Sequence, residues 1–265
     1  MDMMMMTMPK IAIIDGDMVA HRTAYIADDI DDMPMLLAVT IKGWTPPGCT
    51  TAFVAISDTR SNNYRRSAYT EYKANRDNKV VDEELSERLA YAKELLGEDS
   101  TYRKFVPTLE ADDLMGIAAS AGQAVAVTLD KDLLSVPGWH YRPVYSHLGK
   151  RDENGKQHKV THEAELIYQP EWRADEMFYT QWLTGDVTDG YKGLYRFGPK
   201  AALKLLRKNR RANWDACVLA EYEKRDYDYE YCIAMARCAR ILRVGEWTKE
   251  TGVKLYESPC NVPTK

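Results

Sequence analysis

The chain has 265 residues, is 45% hydrophobic and 29% charged, and carries a formal net charge of −4. That composition excludes a disordered or collagenous chain and is enough to bury a sizeable core. The acidic balance supplies no global attraction to a polyanion, so any such partner must be met by local clusters of Lys and Arg. The longest apolar stretches fall short of a membrane span, and the Met-rich start MDMMMMTM lacks the basic and apolar regions of a secretory signal, so a cytoplasmic protein with no membrane partner is expected. Five cysteines without a CxxC pair predict reduced thiols and neither a disulfide frame nor a thiolate zinc site.

In chain order, the run Lys10-Ile-Ala-Ile-Ile-Asp15 predicts a strand that ends on a carboxylate, with Asp17 two residues on and a helix over 18–27. A second run, residues 51–57, ends on Asp58. A helix is expected over 83–96, stopped by Gly97, then a short strand near 102–106 and a helix over 110–120. A third apolar run, 124–129, ends on Asp130 with Asp132 beyond it. All three runs are aliphatic with little alternation, as in strands buried on both faces of a parallel sheet. Strands alternating with helices predict an α/β core. The polar stretch 151–159 reads as a turn or hairpin tip, and after Glu163 the chain reads as helical, with helices over 174–184, 198–208, 215–223 and 229–244. The expected division is 1–165 as core and 166–265 as a helical lobe.

Asp15, Asp58 and Asp130 would leave the carboxyl edge of the sheet, where open parallel sheets bind ligands. Glu110 and Asp113, three apart, share a helix face, and Asp112 points into the same mouth from the first turn. Any one of these acids alone reads better as a helix cap, and Asp17 and Asp132 are natural caps of a helix and a turn. Their convergence points elsewhere. Like charges crowded together oppose folding unless cations lie between them. An oxygen-only set without His or Cys favours Mg²⁺ or Mn²⁺, and two such ions about 3.5–4 Å apart suit phosphodiester hydrolysis.

A further acidic knot, Thr184-Gly-Asp186-Val-Thr-Asp189-Gly190, precedes Tyr191-Lys192 and the helix start Gly198-Pro199. Pro at the first helical position leaves free N–H groups at a positive dipole end that holds phosphate, and Lys200 and Lys204 flank it one turn apart. The same letters also fit an ordinary helical hairpin. Other enzyme classes claim part of the pattern. In a haloacid-dehalogenase-like phosphatase Asp15 would be a nucleophile, but Glu110-Ala-Asp-Asp113 would have no role there. A non-catalytic nucleic-acid-binding module would not need the cleft acids, and a PIN-type ribonuclease would lack the helical hairpin.

The segments IAIIDGD, SDTRSNNYRRSAYTEYKANRD, LEADDLMG, TLDKDLL and GDVTDGYKGLYRFGPKAALKLL resemble, in order and spacing, the 5′-nuclease (flap endonuclease-like) superfamily, and within it the 5′→3′ exonucleases of T7-type bacteriophages. The resemblance covers residues 10–245. It implies an α/β PIN-like core with a mostly parallel sheet, plus a helical lobe containing a helix–three-turn–helix motif that grips duplex DNA around a monovalent ion such as K⁺. It implies one metal site near Asp15, Asp58, Glu110, Asp112 and Asp130, and a second near Asp132, Asp186 and Asp189, with Asp113 shared or supporting. Tyr72-Lys73-Ala-Asn-Arg76 matches the segment whose Lys73 and Arg76 face the scissile phosphate. The implied activity is metal-dependent 5′→3′ exonuclease action by a monomer on duplex DNA, with removal of RNA from RNA/DNA hybrids and some cutting of 5′ flaps. Three positions depart from the family pattern: Gly190 stands where Asn is usual, Arg196 where Gly is common in the hairpin turn, and Gln181 where some relatives are basic. The segment after Arg76 is short, which implies a reduced arch.

Overall fold

A computed structural model describes residues 7–77, 82–98, 103–151 and 156–260. The chain runs β1 (Ile11–Asp15), α1 (Gly16–Ile26), α2 (Met33–Trp44), β2 (Thr51–Ala55), α3 (Tyr64–Ala68), α4 (Glu83–Glu98), β3 (Arg103–Lys104), α5 (Ala111–Ser120), β4 (Val125–Val127) and β5 (Gly138–Arg142). It continues through β6 (Tyr145–Arg151), β7 (Gln157–His162), β8 (Glu165–Gln169), α6 (Glu171–Thr184), α7 (Pro199–Lys208), α8 (Trp214–Glu223), α9 (Tyr229–Ala239), β9 (Trp247–Thr248) and β10 (Gly252–Val253).

Six strands form one sheet in the order β3-β2-β1-β4-β5-β8, parallel except for β8, which runs antiparallel to β5. The absence of alternation in the apolar runs has a direct cause, since successive side chains enter different cores. Ala12, Ile14, Val54, Val125 and Val127 pack with α1, α2 and α4, while Ile13, Ala55 and Ala126 pack with α5 and Val136. At the turn from β1 into α1, a Cβ on Gly16 would lie 2.5 Å from the Ala55 carbonyl oxygen. A residue without a side chain is needed there for the helix to cross β2. A third core unites α6 to α9, with Phe178, Trp182 and Tyr222 fully buried. The indole N–H of Trp182 donates to the Cys232 carbonyl at 2.8 Å, and that of Trp214 to Leu206 at 2.9 Å. Among the described residues no helix is long and apolar enough to cross a membrane.

Several expectations need correction. The chain after Glu163 is not helical at once: β8 adds a strand to the sheet, so residues 166–169 pair with β5. The helix expected over 229–244 stops at Ala239. Extended backbone beyond it crosses α5, with the Leu242 amide donating to Asp113 and the Val244 amide to Ser120. Elements not anticipated include α2, α3, β5, β9 and β10. In α2 the sequence MPMLLAVTIKGW holds a single charge and so has no polar stripe to mark its period, and β5 is too mixed (GWHYR) to read as a buried strand. The segment following Asp77 and the tip of the β6–β7 hairpin lie outside the described residues.

Candidate active site

The register pairs Asp15 with Ala55 and Ile14 with Val127, and β2 and β4 stop at Ala55 and Val127, so Asp58 and Asp130 lie in the loops beyond the ends of the strands on either side of β1. Asp15 is buried. Its Oδ1 accepts the Met18 amide at 3.0 Å, capping α1, and its Oδ2 accepts the Thr128 hydroxyl at 2.8 Å. The cap expected of Asp17 is thus made by Asp15. Asp17 instead bonds Lys93 at 2.8 Å and accepts the Ser57 amide. Burial, then the charges of Asp17 and Asp130, push the Asp15 carboxyl up to about 6, against the opposite pull of its two donors.

Asp112 stands in the first turn of α5, and burial with the charges of Asp15, Asp130 and Glu110 raises its carboxyl well above the usual range. Asp132 follows a short turn in which its amide donates to Asp130 at 2.9 Å. Burial and the charges of Asp130, Asp186 and Asp189 push it up to about 7. Asp186 organises its own knot by accepting the Thr188 amide at 2.6 Å, and a bridge to Tyr191 closes the loop. Gly190 has φ +78, and a Cβ there would lie 2.8 Å from the Glu71 carbonyl, which explains glycine at this position. Asp189 is raised by burial and by Glu110 and Asp186, partly offset by Lys73 and Arg76. Six carboxylates (Asp15, Asp112, Asp130, Asp132, Asp186, Asp189) therefore form one electrostatic group drawn from four distant stretches of chain.

Glu110 behaves differently. Burial would raise it, but Lys73 and Arg65 hold it at about 2. Its carboxylate receives Lys73 Nζ at 2.5 Å, the Tyr72 hydroxyl at 2.8 Å and Arg65 Nη1 at 3.1 Å. Lys73 also lies 3.6 Å from Asp189, and Arg76 bonds Asp189 at 2.5 Å. Lys73 has a left-handed φ of +54 at the head of a single 3₁₀ turn ending at Arg76, and this turn aims both cations at Asp189. Both cations have carboxylates as their partners.

Three expected residues are held by other parts of the protein. Both oxygens of Asp113 accept from Arg65, at 2.7 and 2.8 Å, and the Leu242 amide adds a further donor. Asp58 is taken up by the Thr59 and Thr108 amides and by Asn62 at 2.5 Å. These donors hold its carboxyl below the ordinary value against the opposing effect of burial. Tyr72, whose place beside the phosphate-facing Lys73 implies a residue that touches DNA, is 2% exposed and stacks on Tyr191, with its hydroxyl bonded to Glu110 and Asp189.

Arg65 was not singled out from its neighbour Arg66 by any sequence signal. It is 1% exposed, whereas Arg66 pairs with Asp77 near the surface. Thr128, which fastens Asp15, was likewise missed.

In the lobe, Lys192, Gly198, Lys200 and Lys204 are all exposed. Gly198 caps α7 with Pro199 at the first position, leaving N–H groups directed outward. A hollow of about 590 Å³ lies beside it, lined by Lys192, Tyr195, Arg196, Phe197 and Tyr231 among others. Arg196 occupies the glycine position of the turn with a left-handed φ of +53.

Among the described residues no three His, Cys, Asp or Glu side chains gather closely enough to hold an ion by direct contact. The donors are nevertheless all oxygen, and the raised carboxyls of Asp15, Asp112 and Asp132 show negative charge without enough positive charge to balance it. That chemistry fits a hard divalent ion, and Mg²⁺ commonly keeps several of its waters and binds through few direct carboxylates.

A mostly parallel sheet with a carboxylate cleft at its carboxyl edge and a helical lobe behind defines the PIN-like 5′-nuclease class. A family model for "5′-3′ exonuclease, N-terminal resolvase-like domain" matches residues 10–165, and the chain belongs to that family. It is 26% identical over 219 residues to the thermostable DNA polymerase I of Thermus thermophilus, covering 75% of this chain and 24% of the polymerase. It is also 26% identical over 230 residues to the exonuclease of Escherichia phage T7, covering 73% of this chain and 70% of that protein. The chain thus spans about a quarter of the polymerase it matches. The fold is shared with the T5 D15 protein co-crystallised with metal ions, at 14% identity and a TM-score of 0.56 over 85% of this chain and 87% of that one. It is shared too with the T5 5′-exonuclease carrying zinc, at 15% identity and a TM-score of 0.55 over 86% and 93%.

Proposed function

We propose that the protein is a metal-dependent 5′→3′ exonuclease that hydrolyses phosphodiester bonds from the 5′ ends of duplex DNA, acting as a monomer in the cytoplasm of a host cell. The observation that carries this reading is the single charge-coupled group of Asp15, Asp112, Asp130, Asp132, Asp186 and Asp189. Asp15, Asp112 and Asp130, with Glu110, would hold one Mg²⁺ or Mn²⁺, and Asp132, Asp186 and Asp189 a second. Bound there, such ions supply an activated water and charge stabilisation of the leaving oxygen.

The protein's own groups set up the rest. The Met18 amide and the Thr128 hydroxyl fix Asp15. Tyr72 couples the positions of Glu110 and Asp189. Lys73 and Arg76 are paired with Glu110 and Asp189. Placed at the edge of the acidic cleft, these two cations would face the scissile phosphate and offset its developing charge. The N-terminus of α7, with Lys192, Lys200 and Lys204, would hold the duplex backbone, and the turn before it is where a K⁺ would sit. Backbone contact without base reading suits RNA/DNA hybrids and 5′ flaps as further substrates. A phosphatase with Asp15 as nucleophile is disfavoured, because the chain belongs to the 5′-3′ exonuclease family and Glu110, Asp112 and Asp113 would have no role in such a phosphatase.

The test is digestion of duplexes labelled at either end, with Mg²⁺ or EDTA, for the wild type and Asp130→Ala. Early release of 5′ label only by the wild type in Mg²⁺ is expected. Release of 3′ label first contradicts the polarity, and hydrolysis in EDTA contradicts the metal mechanism. The same assay on an RNA/DNA hybrid and a 5′ flap decides the wider substrate range.

A further inference from the structure

The carboxyl edge of the sheet carries one structure that the reaction above does not use, the antiparallel ribbon of β6 and β7. Its root is next to the cleft: β5 ends at Arg142, whose guanidinium donates to the carbonyl of Leu129, the residue before Asp130. From there the ribbon runs outward, with both strands largely exposed, Leu148 at 64%.

Its composition differs from that of the chain as a whole. Residues 145–162 hold three of the five histidines, and four basic against two acidic residues, in a chain whose net charge is −4. Its geometry is also specific. Tyr145 and His162 are directly paired across the strands, and His147 lies two residues along on the same face. Their three rings are nearly parallel. Tyr145 and His162 are 4.4 Å apart at 8°, His147 and His162 are 5.1 Å apart at 13°, and Tyr145 and His147 are 6.1 Å apart at 21°. Parallel rings cannot turn their nitrogen lone pairs on a common ion, and no metal-holding group occurs among the described residues. Rings stacked face to face cover one another's inner faces, so what this stack offers is its outer π faces. Nucleobases stack on Tyr and His faces, each base contributing substantially and with little regard to sequence. The exposed Lys150 and Lys159 add the positive charge a phosphate backbone needs.

We propose that the β6–β7 ribbon is a stacking arm for an unpaired nucleic-acid strand at the mouth of the cleft, with Tyr145, His147 and His162 as its base platform. Its place in catalysis rests on the nuclease reading, but its binding does not. A paired strand hides its base faces, so the arm selects single-stranded tails over blunt ends.

The test has two readouts. The first is fluorescence anisotropy of a labelled 12-nucleotide oligothymidylate in EDTA, for the wild type, His147→Ala/His162→Ala and Lys150→Ala/Lys159→Ala. Removing the rings is expected to weaken binding at least about fivefold, the low end of one lost stacking contact. Removing the lysines is expected to reduce the slope of log affinity against log salt by about 1.4. The second readout is the ratio of hydrolysis rates on a duplex with a 5′ single-stranded tail and on a blunt duplex in Mg²⁺, expected to fall in both variants. Unchanged oligonucleotide affinity in both variants overturns the arm. If the wild type hydrolyses neither duplex, the nuclease reading fails, and the anisotropy alone still decides whether the arm binds.

Discussion

Arg65 and Asp113 form a fully buried bidentate ion pair, Nη1 to Oδ2 at 2.8 Å and Nη2 to Oδ1 at 2.7 Å, with the residues 1% and 0% exposed. The pair joins α3 to the first turn of α5, and Arg65 also reaches Glu110 and the Arg240 carbonyl beyond α9. The carboxylates of the cleft are therefore mounted on a charge pair that itself never meets solvent. Replacing one partner leaves the other buried and unpaired, which costs about 3–5 kcal/mol. Arg65→Met is expected to lose about that much stability in urea unfolding, while the surface variant Arg66→Met loses under about 1 kcal/mol.

Among the described residues Lys73 is the one ammonium bonded to Glu110 and within 4 Å of Asp189. Lys73→Ala is expected to lower kcat on the order of 10²-fold while the protein stays folded. Steady-state rates on a blunt duplex, with circular dichroism as the folding control, check this. A change confined to KM would assign Lys73 to substrate binding alone.

The carboxyls pushed up to about 6 at Asp15 and about 7 at Asp132 make stability depend on pH. A carboxyl whose folded pKa lies above its unfolded value binds its proton more tightly when folded. The stability it contributes is complete below the unfolded pKa near 4 and is lost as pH rises through 6 to 7. Glu110, held at about 2, acts in the opposite sense only below about pH 4.5. Without metal, Tm is expected to fall between pH 5 and pH 8, and Mg²⁺ is expected to restore it at pH 8. Differential scanning calorimetry at both pH values, with and without the ion, measures both effects.

Much of this was legible in the sequence because the signals were local. An aliphatic run followed by an acid marked the buried parallel strands β1, β2 and β4, and at β1 and β4 the acid also marked the cleft. Gly198-Pro199 marked the start of α7 within a residue. What stayed hidden depends on contacts far apart in the chain. Asp58 and Asp113 look like cleft acids by position, and only folding shows Thr108 and Arg65 reaching them. Tyr72 resembles a surface aromatic until Tyr191 packs on it. The uniform apolarity of α2 likewise gives no period from which to read a helix.

Lys200 and Lys204 are exposed on one face of α7, near its free N–H groups. Lys200→Ala/Lys204→Ala is expected to weaken duplex binding at low salt and to reduce the slope of log affinity against log salt by about 2, with kcat retained. Filter binding between 50 and 200 mM salt reads the slope directly.

The crowding of Asp15, Asp112, Asp130, Asp132, Asp186 and Asp189 is the centre of the account, and calorimetric titration with Mn²⁺ at pH 7 tests it most directly. Saturable binding of two ions with release of protons from the raised carboxyls is expected, with the stoichiometry reduced in Asp112→Asn. Titration heats that show no saturable binding, together with a Tm unmoved by Mn²⁺, would contradict it.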